Sequence, residues 1–454
     1  MHIDGRVLLL SMLVACAGGP VKDEGTDPPS DGDADTDADT DTDADSDADT
    51  DTDLPDADGD GSPDDLDCAP TDPTVFPGAP DICGDDRVTD CDRTADEYLV
   101  TMDGTFTRGG PEALAAVLSV ATPDAEIVVC PGHYRGAHIA QVPVTLRSLS
   151  GPTVTTIDGD GARALAVQGG STVEGFVITG GNAAGRGGGL LVATTGPVTV
   201  RNTLIRGNRA GTDGGGLATA SGVSLVLEDV RIEENVATSG GGVYAQNTLL
   251  DLGDTLITRN TAIQGGGMAV DRVTVIGGII DDNTANSPGY AFGGGMSLSS
   301  DNTLTGTTVS NNHSTQGGGI VFWTGLHTLT DVTVEGNDSR YSGGGMLLGS
   351  AGTNGAEVHL EGSSVVRGNV GDTGGGVDMW GFTTLIGGTV QANTGRFQSG
   401  GIQALGSTVR GVHVLDNVAQ QRQGGGMWAS GSAVLEELEV RGNESQSGGG
   451  IHVG

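Results

Sequence analysis

Residues 235–245 read NVATSGGGVYA. An asparagine is followed, seven positions on, by the last of three glycines and then by an apolar residue. The phrase recurs as NRAGTDGGGLA from 208, NTAIQGGGMAV from 260, NHSTQGGGIVF from 312, NVGDTGGGVDM from 369 and NESQSGGGIHV from 443. Three successive glycines are conformationally expensive, so a structure that repeats them uses them structurally. Eleven glycine runs end at positions from Gly189 to Gly450, a mean spacing of about 26 residues. Eleven asparagines accompany them, from Asn182, Asn208 and Asn235 to Asn443. Self-similarity at such a period is the signature of a solenoid.

Between the glycine runs lie short β-branched segments of period two, such as SLVLEDVRI at 224–232, and no convincing helix. Leucine-rich and helical repeats are thereby excluded, as are nine-residue calcium repeats. A coil of three short strands and three turns fits 26 residues. Eleven such coils, stacked at the inter-strand spacing, rise about 53 Å. The phase places the first residue after each run inside: Leu190, Leu217, Val243, Met268, Met296, Ile320, Met346, Val377, Ile402, Met427 and Ile451 are all apolar. The asparagines are expected to line a turn, bonding to the coils above and below or, as the alternative, tolerating a left-handed conformation.

Composition separates the ends of the chain. The 454 residues carry a net charge of −39, and residues 1–97 hold 30 acidic against 4 basic residues. This polyanion argues against a nucleic-acid partner, which rewards basic stripes. Positions 31–53 place Asp at every odd residue; such a run buries no apolar area and is expected to be disordered and extended. Residues 16–55 then form a tether of at most about 130 Å. Before it, residues 7–15 are apolar but too short to span a membrane, and end in Leu13-Val14-Ala15-Cys16. This resembles the lipobox of bacterial lipoproteins, which implies a signal peptide over 1–15, lipidation of Cys16 and, with Ala17 following, a surface-exposed place on the outer membrane.

Residues 56–97 form a Cys- and Asp-rich module. Asp56, Asp58 and Asp60 occupy positions 1, 3 and 5 of a loop that turns at Gly61; Ser62, Asp64 and Asp67 fall at 7, 9 and 12. Several oxygens converging from one tight loop suit Ca²⁺. Position 12 is Asp rather than the bidentate Glu of EF-hands, and no flanking helices are evident. The cysteines Cys68, Cys83, Cys91 and Cys130 allow up to two disulfides in three pairings. Asp67-Cys68, Pro77-Gly78-Ala79, Cys83 and Asp90-Cys91-Asp92 resemble the metal-binding motif of MopE-type surface proteins, although Ala69-Pro70 replaces the usual second acidic pair.

From 98 the chain enters the solenoid. Residues 111–121 read as a helix with Leu114, Val117, Leu118 and Ala121 on one face. The later PGHY at 131–134 and TIDG at 156–159 resemble the opening of right-handed parallel β-helix proteins of the pectin-lyase-like class, in which a helix plugs the first coil. The Asn and Gly repeats are also similar to those of polymorphic outer-membrane proteins. The fold class expected is all-β, a right-handed parallel β-helix over 98–454 with an N-terminal capping helix. Its last coil stops at Gly454, four residues after a glycine run, as a fragment or truncated reading frame would.

Pectin-lyase-like folds host lyases and hydrolases, which need a strong base with calcium-binding acids, or paired carboxylates. On the strand after the glycines no two acids fall on adjacent coils; Asp271 and Asp378 are expected to be isolated and solvated, and Glu233-Glu234 and Asp281-Asp282 to be exposed turn residues. Tyr244, Trp323, Trp380 and Trp428 fall on outward phases, in a chain with only 3% aromatics, which marks a ligand face. The favoured function is a non-catalytic, lipid-anchored surface protein that adheres to or recognises a glycan or surface-protein partner, with Ca²⁺ near its base. The alternative is a polysaccharide lyase or glycoside hydrolase.

Overall fold

A computed structural model of the chain describes residues 55–79, Thr89, Cys91, 99–349 and 355–454. The signal peptide, the lipidation site Cys16, the Asp-rich tether and Cys83 lie outside the described residues. From Leu99 the described chain is an all-β parallel solenoid. Three long sheets of 13, 24 and 8 strands run along it, and the 13-stranded sheet contributes one strand per coil. The first coil is closed by an antiparallel hairpin, Leu99–Met102 with Thr105–Arg108, and by helix α1, Ala113–Val120, which buries Leu114, Val117 and Leu118 as its spacing predicts. No helix among the described residues is long and apolar enough to cross a membrane.

Each coil turns at four corners rather than three, and each corner is set by one residue in the left-handed region. In the coil that starts at Gly240 these are Gly240 (φ +60°), Asn247 (+48°), Gly253 (+45°) and Arg259 (+53°). The coil crosses the 13-stranded sheet as Val243–Gln246 and the 24-stranded sheet as Leu249–Thr258, where Gly253 bends one strand into two faces. It then enters the next glycine corner through Thr261–Ala262. Non-glycine residues carry several of these corners, so the left-handed conformation alone does not require three glycines in a row.

What requires them is the space between coils. Gly240 supplies the positive φ. A Cβ on Gly241 would lie 2.4 Å from the Gly266 carbonyl oxygen of the next coil, and one on Gly242 2.8 Å from that of Gly267 and 3.0 Å from the Asn260 amide nitrogen. The backbones therefore stack with no side chain between them. Where one run reads Ser399-Gly400-Gly401, only the first glycine is replaced; Ser399 keeps φ +54° and its Oγ donates to the Ile402 carbonyl.

The asparagines form a ladder beside this corner. Asn283 Nδ2 donates to Asn312 Oδ1 at 3.0 Å and to the Ile257 carbonyl at 2.8 Å. Its own Oδ1 accepts from the amide and backbone nitrogens of Asn260, each at 3.0 Å. The same pattern joins Asn208 to Asn235 and continues to Asn443. The left-handed residue is the one before the asparagine, for example Glu234, Arg259 or Asp282, so ladder bonding rather than left-handed tolerance explains the asparagine. Asn182 is an exception to the expected column. Asn208 pairs its Oδ1 with the Gly181 nitrogen, and Asn182 stands one residue off, exposed.

The core is the expected inward column together with the inner faces of the other sheets. Leu190 through Met427 are fully buried at every coil, and Ile451 of the last coil is 39% exposed. Outside, arginines pair with acids one coil away, as Arg201 with Glu228 at 2.9 Å and Arg259 with Glu234 at 3.1 Å; such exposed pairs contribute at most about 1 kcal/mol each. Glu233, expected to be exposed, is instead buried between Arg231 and Arg259.

Replacing Asn283 with Ala removes three donated bonds and strips two buried Asn260 donors of their acceptor. We expect a loss of about 2–4 kcal/mol in denaturant unfolding, against no measurable change for Asn182→Ala. Equal effects at the two positions would contradict the ladder assignment.

Candidate functional site

The outward face of the 13-stranded sheet is not the open surface that period-two alternation predicts. Ser297, Val321, Leu347, Asp378 and Gln403 point outward yet are buried. The chain entering each glycine corner lies across them: Phe292 packs edge-on against Trp323, with ring centroids 4.9 Å apart, and Thr373 Oγ1 donates to Asp378 Oδ2 at 2.9 Å. The residues just before each run (Asp213, Ser239, Gln264, Phe292, Gln316) pair with one another from coil to coil and lie against the residues just after it, along a groove that opens into one cavity beside Tyr244 and another beside Trp428.

The four aromatic residues singled out from the sequence all border this groove, half-buried rather than fully exposed. Tyr244 lies under the Arg186 guanidinium, 4.9 Å from its ring centroid. Burial, then Asp213 and Asp271, push its phenol up despite Arg186. It lines a cavity of about 270 Å³ with Asp213, Gln246, Gln264 and Asp271. Trp323 and Trp380 donate their indole N–H groups to Ser297 Oγ and Asp378 Oδ1, both at 2.9 Å. Trp428 lines a second cavity of about 580 Å³ with Gln398, Gln421, Arg422, Gln423 and Gln446. Two further exposed rings near these residues lay outside the sequence expectation. Tyr290 (62% exposed) stands beside Phe292 and 6.3 Å from Tyr341. Tyr290 and Tyr341 stand three and two residues before their glycine runs, so the repeat gives them no common phase by which to find them.

Two expectations about acids need correction. Asp378 is not solvated; it is fully buried. Burial pushes its carboxyl up to about 7, against the lowering effect of hydrogen bonds from Thr373, Trp380, Ser342 and the Met379 backbone. Nor is Asp271 isolated and solvated: its Oδ1 is buried and Arg272 pairs with its Oδ2 at 3.2 Å. Away from this strand, charged residues do meet across coils. On the 8-stranded sheet Arg396 bonds both Asp338 and Asp372, and His313 Nδ1 lies 3.5 Å from Asp338. Asp338 draws His313 up; Asp338 itself, although desolvation pushes it up, is held below the ordinary range by His313 and Arg396. Arg396 engages both carboxylates, so neither stands free as a nucleophile or base. The cluster works as an ion-pair staple across coils.

In the N-terminal module, oxygens of Asp56, Asp58 and Asp60 lie within 4.8 Å of one another. One Asp56 oxygen accepts from Gly59 N at 2.7 Å and the other from Gly61 N at 3.0 Å; Asp60 Oδ1 accepts from Ser62 N and Asp64 Oδ1 from Ala57 N, both at 2.8 Å. These bonds hold the loop closed and leave Asp58 Oδ2 and Asp60 Oδ2 buried without a partner. Desolvation, then Asp60, Asp67 and Asp56, raise the Asp58 carboxyl, partly offset by a backbone hydrogen bond. Crowded carboxylates with unpartnered inward oxygens fit a hard cation. Asp67 lies beside Cys68 and Cys91, near enough to act on Asp58, with its Oδ2 also unpartnered. Cys68 and Cys91 form a disulfide with Cα atoms 5.6 Å apart, and Cys130 is likewise disulfide-bonded.

Comparison with protein-family models, with curated proteins and with solved structures finds no match. The groove and the loop therefore carry the functional reading by themselves.

Asp378 gives a signed pH dependence. Its folded value lies above the unfolded one, so its contribution is complete below about pH 4 and is lost as pH rises through about 7. Between pH 5 and 8 the unfolding free energy should fall on the order of a few kcal/mol more for the unsubstituted protein than for Asp378→Asn. Parallel stability curves would refute this.

Proposed function

We propose that the protein is a lipid-anchored β-helix of the outer-membrane surface that recognises a glycan or surface-protein partner along its groove and does not turn it over. The observation that carries this is the pair of cavities beside Tyr244 and Trp428, on a face where Trp323 and Trp380 also stand and where Asp378 is buried with hydrogen-bond donors while Asp213 and Asp271 are paired with arginine. The lipobox-like Leu13-Val14-Ala15-Cys16 and the acidic tether support the location. The likeness to pectin-lyase-like and MopE-type proteins rests on the sequence motifs and is part of this proposal. Asp56, Asp58 and Asp60 would hold Ca²⁺, with Ser62, Asp64 and Asp67 completing the loop. The ion would neutralise their mutual repulsion and stiffen the module that joins tether to solenoid.

The purified full-length protein, screened against neutral glycans and polyuronates with and without Ca²⁺, is expected to bind at least one without releasing shortened products. Product release would favour the lyase or hydrolase alternative. Calorimetric titration with Ca²⁺ is expected to show binding that weakens at least about tenfold in the Asp58→Asn, Asp60→Asn double variant. An unchanged isotherm would remove the ion from this loop.

A further inference from the structure

One side chain of the calcium-type loop differs from the rest. Of Asp56, Asp58, Asp60, Ser62, Asp64 and Asp67, only Asp67 is buried, at 8% exposed. Its Oδ1 accepts from Ala69 N at 2.9 Å, and its Oδ2 has no partner among the described residues. A buried carboxylate oxygen without a partner is costly. A hard cation held by Asp56, Asp58 and Asp60 is a partner that would relieve it. The two sets of carboxylates already feel each other: beyond desolvation and Asp60, the charge of Asp67 raises the Asp58 carboxyl.

Asp67 is also the residue that joins this loop to the disulfide. Its backbone N donates to the Pro63 carbonyl at 3.0 Å, inside the loop. Its carboxylate lies within 4.8 Å of the sulfurs of Cys68 and Cys91. Cys91 Sγ stands 4.0 Å from Asp67 Oδ1 and accepts from Cys68 N at 3.3 Å. Cys91 comes from 23 residues further along the chain, so the bond is what lays that distant segment against Asp67. Cys68 itself is exposed, and a small dithiol can reach it.

We infer that the Cys68–Cys91 disulfide and a Ca²⁺ ion in the 56–67 loop stabilise one another through Asp67, which the bond positions and the ion satisfies. This rests on the Ca²⁺ reading proposed above. With the bond broken, Cys91 is free to leave and water reaches the carboxylate. Binding must then strip that water and order the side chain, which weakens the site. Such coupling is reciprocal. A dithiol that reduces the bond gives up two electrons and two protons, joins its own sulfurs and leaves Cys68 and Cys91 as thiols. The factor by which this loosens the ion is the factor by which the ion opposes it.

The test uses the full-length protein. Calorimetry measures Ca²⁺ affinity for the native protein and for the Cys68→Ser, Cys91→Ser double variant, with cooperative unfolding as the check on its solenoid. The native protein is also equilibrated in dithiothreitol redox buffers with and without Ca²⁺. Differential alkylation and mass spectrometry of the peptides carrying Cys68 and Cys91 keep this bond apart from the disulfide of Cys130. The expected affinity is at least about tenfold weaker in the double variant. The expected midpoint potential is at least about 30 mV more reducing in saturating Ca²⁺, the same tenfold for a two-electron couple. Asp67→Asn, which keeps the bond, should erase most of that shift. Equal affinities with and without the disulfide, a midpoint that Ca²⁺ leaves in place, or a full shift in Asp67→Asn overturns the inference and leaves the Ca²⁺ reading standing. No Ca²⁺ binding by the native protein would sink that reading and this inference together.

Discussion

Ten asparagines from Asn208 to Asn443, stacked at one corner of the solenoid, hold the rest of the structure in register. A buried primary amide is tolerable only if its oxygen and both hydrogens find partners. From Asn235 to Asn417 each oxygen takes two bonds from the preceding coil, and each nitrogen gives one forward to the next amide and one back to an inner-sheet carbonyl. A shift of one residue anywhere would break several of these bonds at once. The period of the sequence is thus enforced by polar satisfaction, while the apolar column inside supplies the bulk of the driving force. The glycine corner follows from the same geometry, because the third glycine lies against the asparagine amide of the next coil.

The corners explain why a chain so rich in glycine is not loose. A left-handed residue is needed four times per coil, but Asn, Asp, Arg, Ser and Glu occupy many of those positions. Glycine is obligatory where two backbones approach too closely for a Cβ. That distinction separates the first glycine of each run, replaceable by Ser399, from the second and third. It also brings the segments on either side of the run face to face, which covers the outward column from Ser297 to Gln403.

The inside of the molecule could be read from the sequence because its information is local and repeated. Val243 or Met296 is inward for the same reason at every coil, and α1 shows its buried face in four residues. The outside could not be read in the same way. Whether Asp378 or Gln403 is covered depends on the fold angle at the glycine corner and on which side chains enter from the neighbouring sheet, and period-two alternation contains neither. Asn182 shows the related limit. Its phrase looks like the others, and only pairing with the next coil reveals that Gly181 holds the ladder position. The Arg396 staple escaped for the same reason: its acids lie about one and two repeats before it in sequence, on a sheet whose residues carry no apolar signal. In the calcium-type loop the spacing was legible at once, whereas the unpartnered inward oxygens of Asp58 and Asp60 required coordinates.

The glycine corner has a direction. Gly214, Gly215, Gly216 and Leu217 all donate their backbone N–H groups to carbonyls of the following coil, as do Gly187 to Leu190 before them, and the asparagine amides point the same way. A coil completed on the N-terminal side therefore presents this corner as a row of donors, and the next coil arrives carrying the acceptors. The stack is thus polar at this corner: each coil offers acceptors to the coil before it and donors to the coil after it.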